Sequence, residues 1–153
     1  MPEIGDIAPD FTLPRDGGGT LCLSALRPAP VVLFFYPRDD TSGCTREATE
    51  FTAAIADFEA AGAKIVGLSR DSVASHDRFV AKHALAVPLV SDEDGAVCAA
   101  YGTWVEKSMY GRKYMGMERT TFLIAGDGRI AQVWRKVKVP GHVDAVLEAV
   151  RAL

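Results

Sequence analysis

Val31-Val32-Leu33-Phe34-Phe35-Tyr36-Pro37-Arg38-Asp39-Asp40-Thr41-Ser42-Gly43-Cys44 is the stretch on which the fold turns. Its first six residues are β-branched, aliphatic or aromatic, with no polar interruption. A strand with one wet face alternates, so an unbroken run indicates a central strand buried on both faces. Pro37 stops the strand, and the polar segment Arg38 to Gly43 delivers the chain to a helix. Ala48, Phe51, Ile55 and Phe58 recur at helical spacing and line one face of it. Asp40, Thr41 and Ser42 offer side-chain oxygens near its start, while Gly62 suits the position just past its end. Cys44 therefore falls in or just before the first turn, at the positive end of the helix dipole.

Upstream, Asp10 to Leu13 and Thr20 to Leu23 are short strand-like runs separated by Gly17-Gly18-Gly19, which indicates an N-terminal β-hairpin. The glycines are not a phosphate loop, because no Gly-Lys-Ser/Thr follows and no helix opens there. Downstream, Ala63 to Leu68 is a strand and Ser72 to about His83 a helix. Val87-Pro88-Leu89-Val90 is a short strand whose proline indicates an edge position or loose pairing. Asp92-Glu93-Asp94 opens a short helix carrying Val97, Cys98 and Tyr101. The last third predicts a hairpin, Thr121 to Ile124 and Arg129 to Lys136, around Gly126-Asp127-Gly128. A C-terminal amphipathic helix follows, with Val143, Val146, Leu147 and Val150 on its apolar face. The order βαβα with a closing hairpin and helix gives a central mixed sheet flanked by helices, in the α/β class.

A chain of 153 residues has room for one core, so residues 1–153 are expected to form a single domain. The net charge of -3 supplies no electrostatic reason for nucleic acid or an anionic membrane as a partner. Met1 to Asp6 lacks the basic start and apolar run of a signal peptide, and no apolar stretch is long enough to span a bilayer. Three cysteines, Cys22, Cys44 and Cys98, are too few for a disulfide framework. A reducing cytoplasm is the expected compartment and a monomer the expected state.

A thiol is a nucleophile only as thiolate, and a helix N-terminus, a fixed cation and hydrogen bonds to sulfur all favour that anion. Cys44 has the first by position. Thr41 brings a hydroxyl that can donate to the sulfur or to a substrate oxygen, and Gly43 allows close backbone approach. Free cysteine is usually a buried small hydrophobe, and Cys22 and Cys98, each among apolar neighbours, are expected to pack in the core. Cys44, between Gly43 and Thr45 in a polar junction, is not. No Cys-x-x-Cys occurs, which argues against a disulfide oxidoreductase or a zinc ribbon. His76, His83 and His142 are not at ligand spacing with any cysteine pair, so no metal or other cofactor is expected. A cysteine–histidine dyad is left open by spacing alone. Arg135 to Lys138 is expected to be a solvated strand face. The region holding Trp104, Met109, Tyr110, Tyr114, Met115 and Met117 is expected to serve core or hairpin packing rather than a partner surface.

Pro37-Arg38-Asp39-Asp40-Thr41-Ser42-Gly43-Cys44 fits the pattern Pro-x-x-x-Thr-x-x-Cys, and with Phe35, Tyr36, Thr45, Arg46 and Glu47 it resembles the bacterioferritin comigratory protein, or peroxiredoxin Q, subfamily of the peroxiredoxins. Gly5 to Phe11, Leu68 to Ser72, Pro88 to Asp92 and Glu118 to Ile124 carry the resemblance over nearly the whole chain. It implies a thioredoxin-like fold and a peroxidase that reduces hydrogen peroxide and organic hydroperoxides through Cys44. It further implies that Arg119 reaches back to the thiolate, that Pro37 shields the sulfur and that Thr41 binds substrate oxygens. Thioredoxin, glutaredoxin or a small thiol is the implied reductant.

One departure from these relatives is informative. Many carry a resolving cysteine five residues after the peroxidatic one, where Thr49 stands here. Others place it in the following helix, around Phe79-Val80-Ala81, which has none. An external thiol, or less conventionally Cys98, is left to regenerate the enzyme. The rival from another class is a peroxide sensor or redox-regulated binding protein that uses Cys44 without turning over.

Overall fold

A computed structural model describes all 153 residues. The unbroken apolar run is strand β3, Val31–Phe35, with every residue buried. Before it come β1 (Thr12–Pro14) and β2 (Thr20–Cys22), paired antiparallel as the expected hairpin. After it the chain alternates: α1 (Ser42–Ala53), α2 (Ile55–Ala60), β4 (Lys64–Ser69), α3 (Val73–His83), β5 (Leu89–Ser91) and α4 (Ala96–Tyr101). The last part comprises β6 (Trp104–Met109), β7 (Arg112–Met117), β8 (Thr120–Ile124), β9 (Ile130–Trp134) and α5 (His142–Arg151).

The main sheet has the order β5-β4-β3-β8-β9, with β3 at its centre. It is mixed: β3 runs parallel to β4 and antiparallel to β8. Successive side chains of β3 point to opposite faces. Val32, Phe34 and Tyr36 enter one apolar layer with Cys44 and Phe51 of α1, Phe58, Phe79, Val143 and Val146. Val31, Leu33 and Phe35 enter the other, with Phe11, Cys98, Tyr101 and Phe122. This is the α/β arrangement expected, with helices α1, α2, α3 and α5 contributing to one layer and α4 to the other.

The structure corrects four expectations. Cys44, expected to stand outside the core, is buried in the apolar layer with Phe34, Ala48 and Phe51, because the first turn of its helix lies against the end of the central strand. The single helix after Cys44 is two, broken at Ala54, whose ψ of 2° is not helical. Phe51 and Phe58 share one layer across the break, so their spacing conceals it. The strand after Gly128 ends at Trp134, and Lys136 takes a left-handed backbone (φ 48°), so Arg135 to Lys138 is loop and not a strand face. The aromatic and methionine-rich region is a hairpin, one of the two packings expected for it, and forms the separate two-stranded sheet β6–β7. Met117 is buried at its base, but Met109, Tyr110, Tyr114 and Met115 are exposed and contribute nothing to the core. Cys22 is half-exposed on β2 with its sulfur 3.3 Å from Ser24 Oγ, because alternate residues of the hairpin face solvent. Strand β5 is the edge strand expected, and its outer side is covered by Asp16, whose carboxylate accepts from Leu89 N–H at 2.9 Å.

The loop leaving β3 is held by a buried polar cluster. Tyr36 O–H, Ser75 O–H and His76 Nδ1–H converge on the Asp39 carboxylate at 2.6, 2.8 and 2.7 Å. His76 Nε2 faces the Val90 carbonyl at 3.0 Å. Both ring nitrogens face acceptors, so both carry hydrogen and His76 is an imidazolium paired with Asp39. Burial alone would lower the His76 value, but the Asp39 bond and charge outweigh it and raise it above the ordinary range. Asp39 N–H in turn donates to Asp71. The loop is therefore tied to α3 and to the ends of β4 and β5 before it reaches Cys44.

A raised folded-state value means that His76 stabilises fully below its unfolded value near 6.5, and that this stabilisation is lost as pH rises through the folded value. His76→Gln should cost roughly 3–5 kcal/mol at low pH, since it leaves Asp39 buried without its cation. Urea titrations of both proteins across pH should show the gap greatest below about pH 6.5 and narrowing at higher pH. A gap independent of pH would show that His76 is held neutral.

Candidate active site

The antiparallel register of β3 and β8 brings the site together. Phe35 pairs with Thr120, so the start of β8 lies beside the end of β3. The residue before β8, Arg119, thus meets the helix that follows β3, across 75 residues of sequence. Its backbone carbonyl is fixed by Val137 N–H at 2.9 Å.

Cys44 is the third residue of α1, within the first turn as expected. Thr45 N–H closes the first helical bond, to Thr41 O at 2.8 Å. The N–H groups of Ser42, Gly43 and Cys44 therefore have no acceptor within the helix, and no acidic residue occupies the first turn to compete with an anion. Cys44 is 1% exposed, and Arg119 Nη2 donates to its sulfur at 3.4 Å. Gly43 makes room for this contact: a Cβ there would lie 3.1 Å from Arg119 Nη2.

The other arm of the guanidinium holds Glu47. Nη1 donates to Oε1 at 2.8 Å, the carboxyl is 0% exposed, and its second oxygen, Oε2, has no partner. Burial pushes the Glu47 carboxyl up to about 7, only partly opposed by the charge of Arg119. Burial would lower the Arg119 value, but its charge interactions and hydrogen bonds with Cys44 and Glu47 reverse that and raise it, so the cation is permanent. Glu47 was not among the site residues expected from sequence. Its signal was position: three residues after Cys44 on a helix, it faces the same way.

Thr41 is the N-cap residue but makes no capping bond, and its hydroxyl donates to Arg38 O at 3.0 Å. That proton is engaged, so the free capacity of Thr41 Oγ1 is to accept, where donation had been expected. Pro37 stands exposed where the chain leaves β3. Asp40 takes a left-handed backbone (φ 59°), and its carboxylate accepts from Lys82 and from His83, at 2.7 and 2.8 Å. Outside the sulfur, Ser42, Gly43, Arg46, Arg119 and Lys138 border an open cleft of about 530 Å³ whose charged side chains are all cationic.

No histidine bonds Cys44. His76 is spent on Asp39 and Val90, His83 on Asp40, and His142 on Thr121 Oγ1 at 2.8 Å. The cysteine–histidine dyad left open by spacing is thereby excluded. Burial and the charge of Arg119 lower His142 to about 4, so it stands neutral beside the site. Lys107 of β6 is lowered by burial and by the same cation, which brings the hairpin within electrostatic range. Cys98 is fully buried in the layer on the opposite face of the sheet from Cys44, and burial there raises its thiol far above the ordinary value.

The AhpC/TSA family model matches residues 4–133. A peroxiredoxin Bcp of Xanthomonas campestris pv. campestris is 51% identical over 143 residues, covering 94% of this chain and 89% of that protein. A solved structure of Xanthomonas campestris peroxiredoxin Q superposes with a TM-score of 0.91 at 49% identity, covering 99% of this chain and 96% of the other. A bacterioferritin comigratory protein of Xanthomonas campestris, solved in connection with its alkyl peroxide reduction activity, gives a TM-score of 0.91 at 48% identity, covering 99% and 97%. With kinship of this depth along nearly its whole length, the chain belongs to the AhpC/TSA family, in its bacterioferritin comigratory protein and peroxiredoxin Q branch, and is a thiol peroxidase.

Proposed function

We propose that Cys44 is the peroxidatic residue and that the enzyme reduces hydrogen peroxide and organic hydroperoxides in a one-cysteine cycle completed by an external thiol. The observation that carries this reading is the Arg119 guanidinium 3.4 Å from a cysteine sulfur in the first turn of a helix. The Cys44 thiolate attacks one peroxide oxygen in line. The S–O bond forms, the O–O bond breaks, and hydroxide or alkoxide departs, leaving sulfenic acid. Charge passes from sulfur to the departing oxygen. Arg119 and the free N–H groups of the first turn donate to that charge along its path, as preorganised donors do. Thr41 Oγ1 accepts the peroxide O–H, which orients the substrate, while Pro37 shields the sulfur. The alkyl peroxide reduction described for the Xanthomonas relative supports extending the substrate class to organic hydroperoxides.

An external thiol is favoured because Thr49 stands at one familiar resolving position and no cysteine occurs in α3. Cys98 lies across the sheet, and bringing it to Cys44 would require local unfolding. A thioredoxin-type protein, a glutaredoxin or a small thiol attacks the sulfenic sulfur instead, and the mixed disulfide exchanges onward. Three free thiols and such a cycle suit a reducing cytoplasm and a single-domain monomer. No helix is long and apolar enough to cross a membrane.

Arg119→Ala should slow peroxide reaction by roughly 10²–10³-fold, the usual loss for one strong transition-state donor. Thr41→Val should slow it as well, since the acceptor disappears at nearly constant shape. Rapid-mixing kinetics on folded variants measures both, and unchanged rates would make these residues structural.

One equivalent of peroxide, without added thiol, should leave a Cys44 sulfenic acid visible by mass spectrometry after trapping with a carbon nucleophile. With a reductant present, many equivalents should be consumed per chain, whereas a sensor would stop near one. Rapid Cys44–Cys98 disulfide formation, with thioredoxin-supported turnover lost in Cys98→Ser, would instead make Cys98 the resolving residue.

A further inference from the structure

One buried cation serves two acids at this site. Arg119 gives one nitrogen to Cys44 Sγ and the other to Glu47 Oε1. Glu47 lies wholly buried, and Oε2 faces no donor. A carboxylate buried with half of its oxygen unpaired is far costlier than a neutral carboxyl in the same place. The remaining charged neighbours do not relieve it. Glu50, on the same helix, repels a second negative charge, and His142, arriving from α5, is neutral. Lys107 from the hairpin lies within charge range of Cys44 and Glu118, but burial and the Arg119 guanidinium disfavour it as a cation, and it makes no contact with Glu47. Arg119 is thus the cation in contact with both acids, and when the sulfur is ionised it is already engaged.

We propose that Glu47 is a charge-balancing residue that holds a proton while Cys44 is a thiolate and gives it up when the sulfur is oxidised. The inference rests on Cys44 being the peroxidatic residue. The step balances as Cys44–S⁻ + Glu47–COOH + ROOH → Cys44–SOH + Glu47–COO⁻ + ROH. Sulfur is oxidised, the peroxide is reduced, an S–O bond replaces the O–O bond, and the departing alkoxide ends as ROH with the proton Glu47 has lost. Before the step, Arg119 balances the sulfur; after it, Arg119 balances Glu47. The buried trio carries no net charge in either state, so oxidation creates no unpaired charge in the core. The elevation of Glu47 to about 7 agrees with this geometry. Glu47 touches Arg119 rather than substrate, so its part is to position charge and not to attack.

The test is a proton count. Reduced wild type and Glu47→Gln are mixed with one equivalent of hydrogen peroxide in weakly buffered solution at about pH 6 with a pH indicator, and Cys44 sulfenic acid is quantified in each sample. The amide copies the neutral carboxyl but has no proton to yield. Wild type should take up almost no proton, and the variant about one per Cys44 oxidised. Thiolate absorbance in the ultraviolet should persist in the variant. Equal uptake in the two proteins, or loss of the thiolate on substitution, would overturn the proposal. Absence of sulfenic acid in wild type would instead overturn the peroxidatic assignment of Cys44. Infrared difference spectra of wild type alone provide a measurement independent of the variant's folding. A protonated-carboxyl stretch should vanish on oxidation, and its persistence would count against the proposal.

Discussion

Arg119 is the constraint around which the site is built, because a guanidinium placed beside a buried thiol and a buried carboxyl must be delivered by the fold and not by the local chain. Its contact with Cys44 spans 75 residues, and it exists because β8 runs antiparallel to β3 with Thr120 opposite Phe35. A one-residue slip in that register would send the side chains of β8 to the wrong faces. Every residue of β8 is buried, so such a slip is strongly opposed by the core. The hydrophobic packing of the central strands thus determines where a single charge sits. Gly43 completes the arrangement, since a larger residue would press its Cβ against the guanidinium at 3.1 Å.

Two charged centres flank the loop between β3 and α1, and their difference in satisfaction separates scaffold from chemistry. Around Asp39, every donor has an acceptor: Tyr36, Ser75 and His76 converge on one carboxylate, and the far nitrogen of His76 meets Val90. A buried network satisfied in this way rigidifies the chain it holds. Around Arg119 the accounting is left open, with Glu47 Oε2 orphaned and the N–H groups at the start of α1 free of helical acceptors. Departures from full satisfaction concentrate where a protein does work. The loop is fixed on one side so that the other can remain poised.

Much of this was legible in sequence, for reasons that can be traced residue by residue. Val31 to Tyr36 announced a central strand because no residue in it tolerates water, and Cys44 announced a helix start because Thr41 and Ser42 precede a periodic apolar face. What stayed hidden depends on tertiary placement. Alternation cannot show that Cys22 lies on the open side of a two-stranded hairpin, nor that the Trp104 to Met117 region would stand apart from the main sheet. The break at Ala54 is invisible because Phe51 and Phe58 keep their phase across it. Glu47 reads as one more charge on a helix. Only its burial under Arg119 distinguishes it from Glu50, which meets Arg46 at the surface at 2.6 Å. The three histidines looked alike in sequence, and the fold gives each a different partner.

The sheet also bears on how the catalytic cycle closes. Cys44 and Cys98 belong to apolar layers on opposite faces of five hydrogen-bonded strands, and both sulfurs are almost without solvent contact. A disulfide needs its two Cα atoms within about 7 Å, so this pair could form one only by carrying a helix around or through the sheet. That motion would dismantle the packing of Phe35, Tyr101 and Phe122, whose rings lie 5.1 to 5.7 Å apart beside Cys98. The sulfur of Cys44 lies instead in the first turn of α1, the part of a helix with the fewest internal bonds, beside a cleft edged by Arg46, Arg119 and Lys138. That turn can be reached from solvent without crossing the sheet. The same β3 that buries both thiols on its two faces also keeps them from each other.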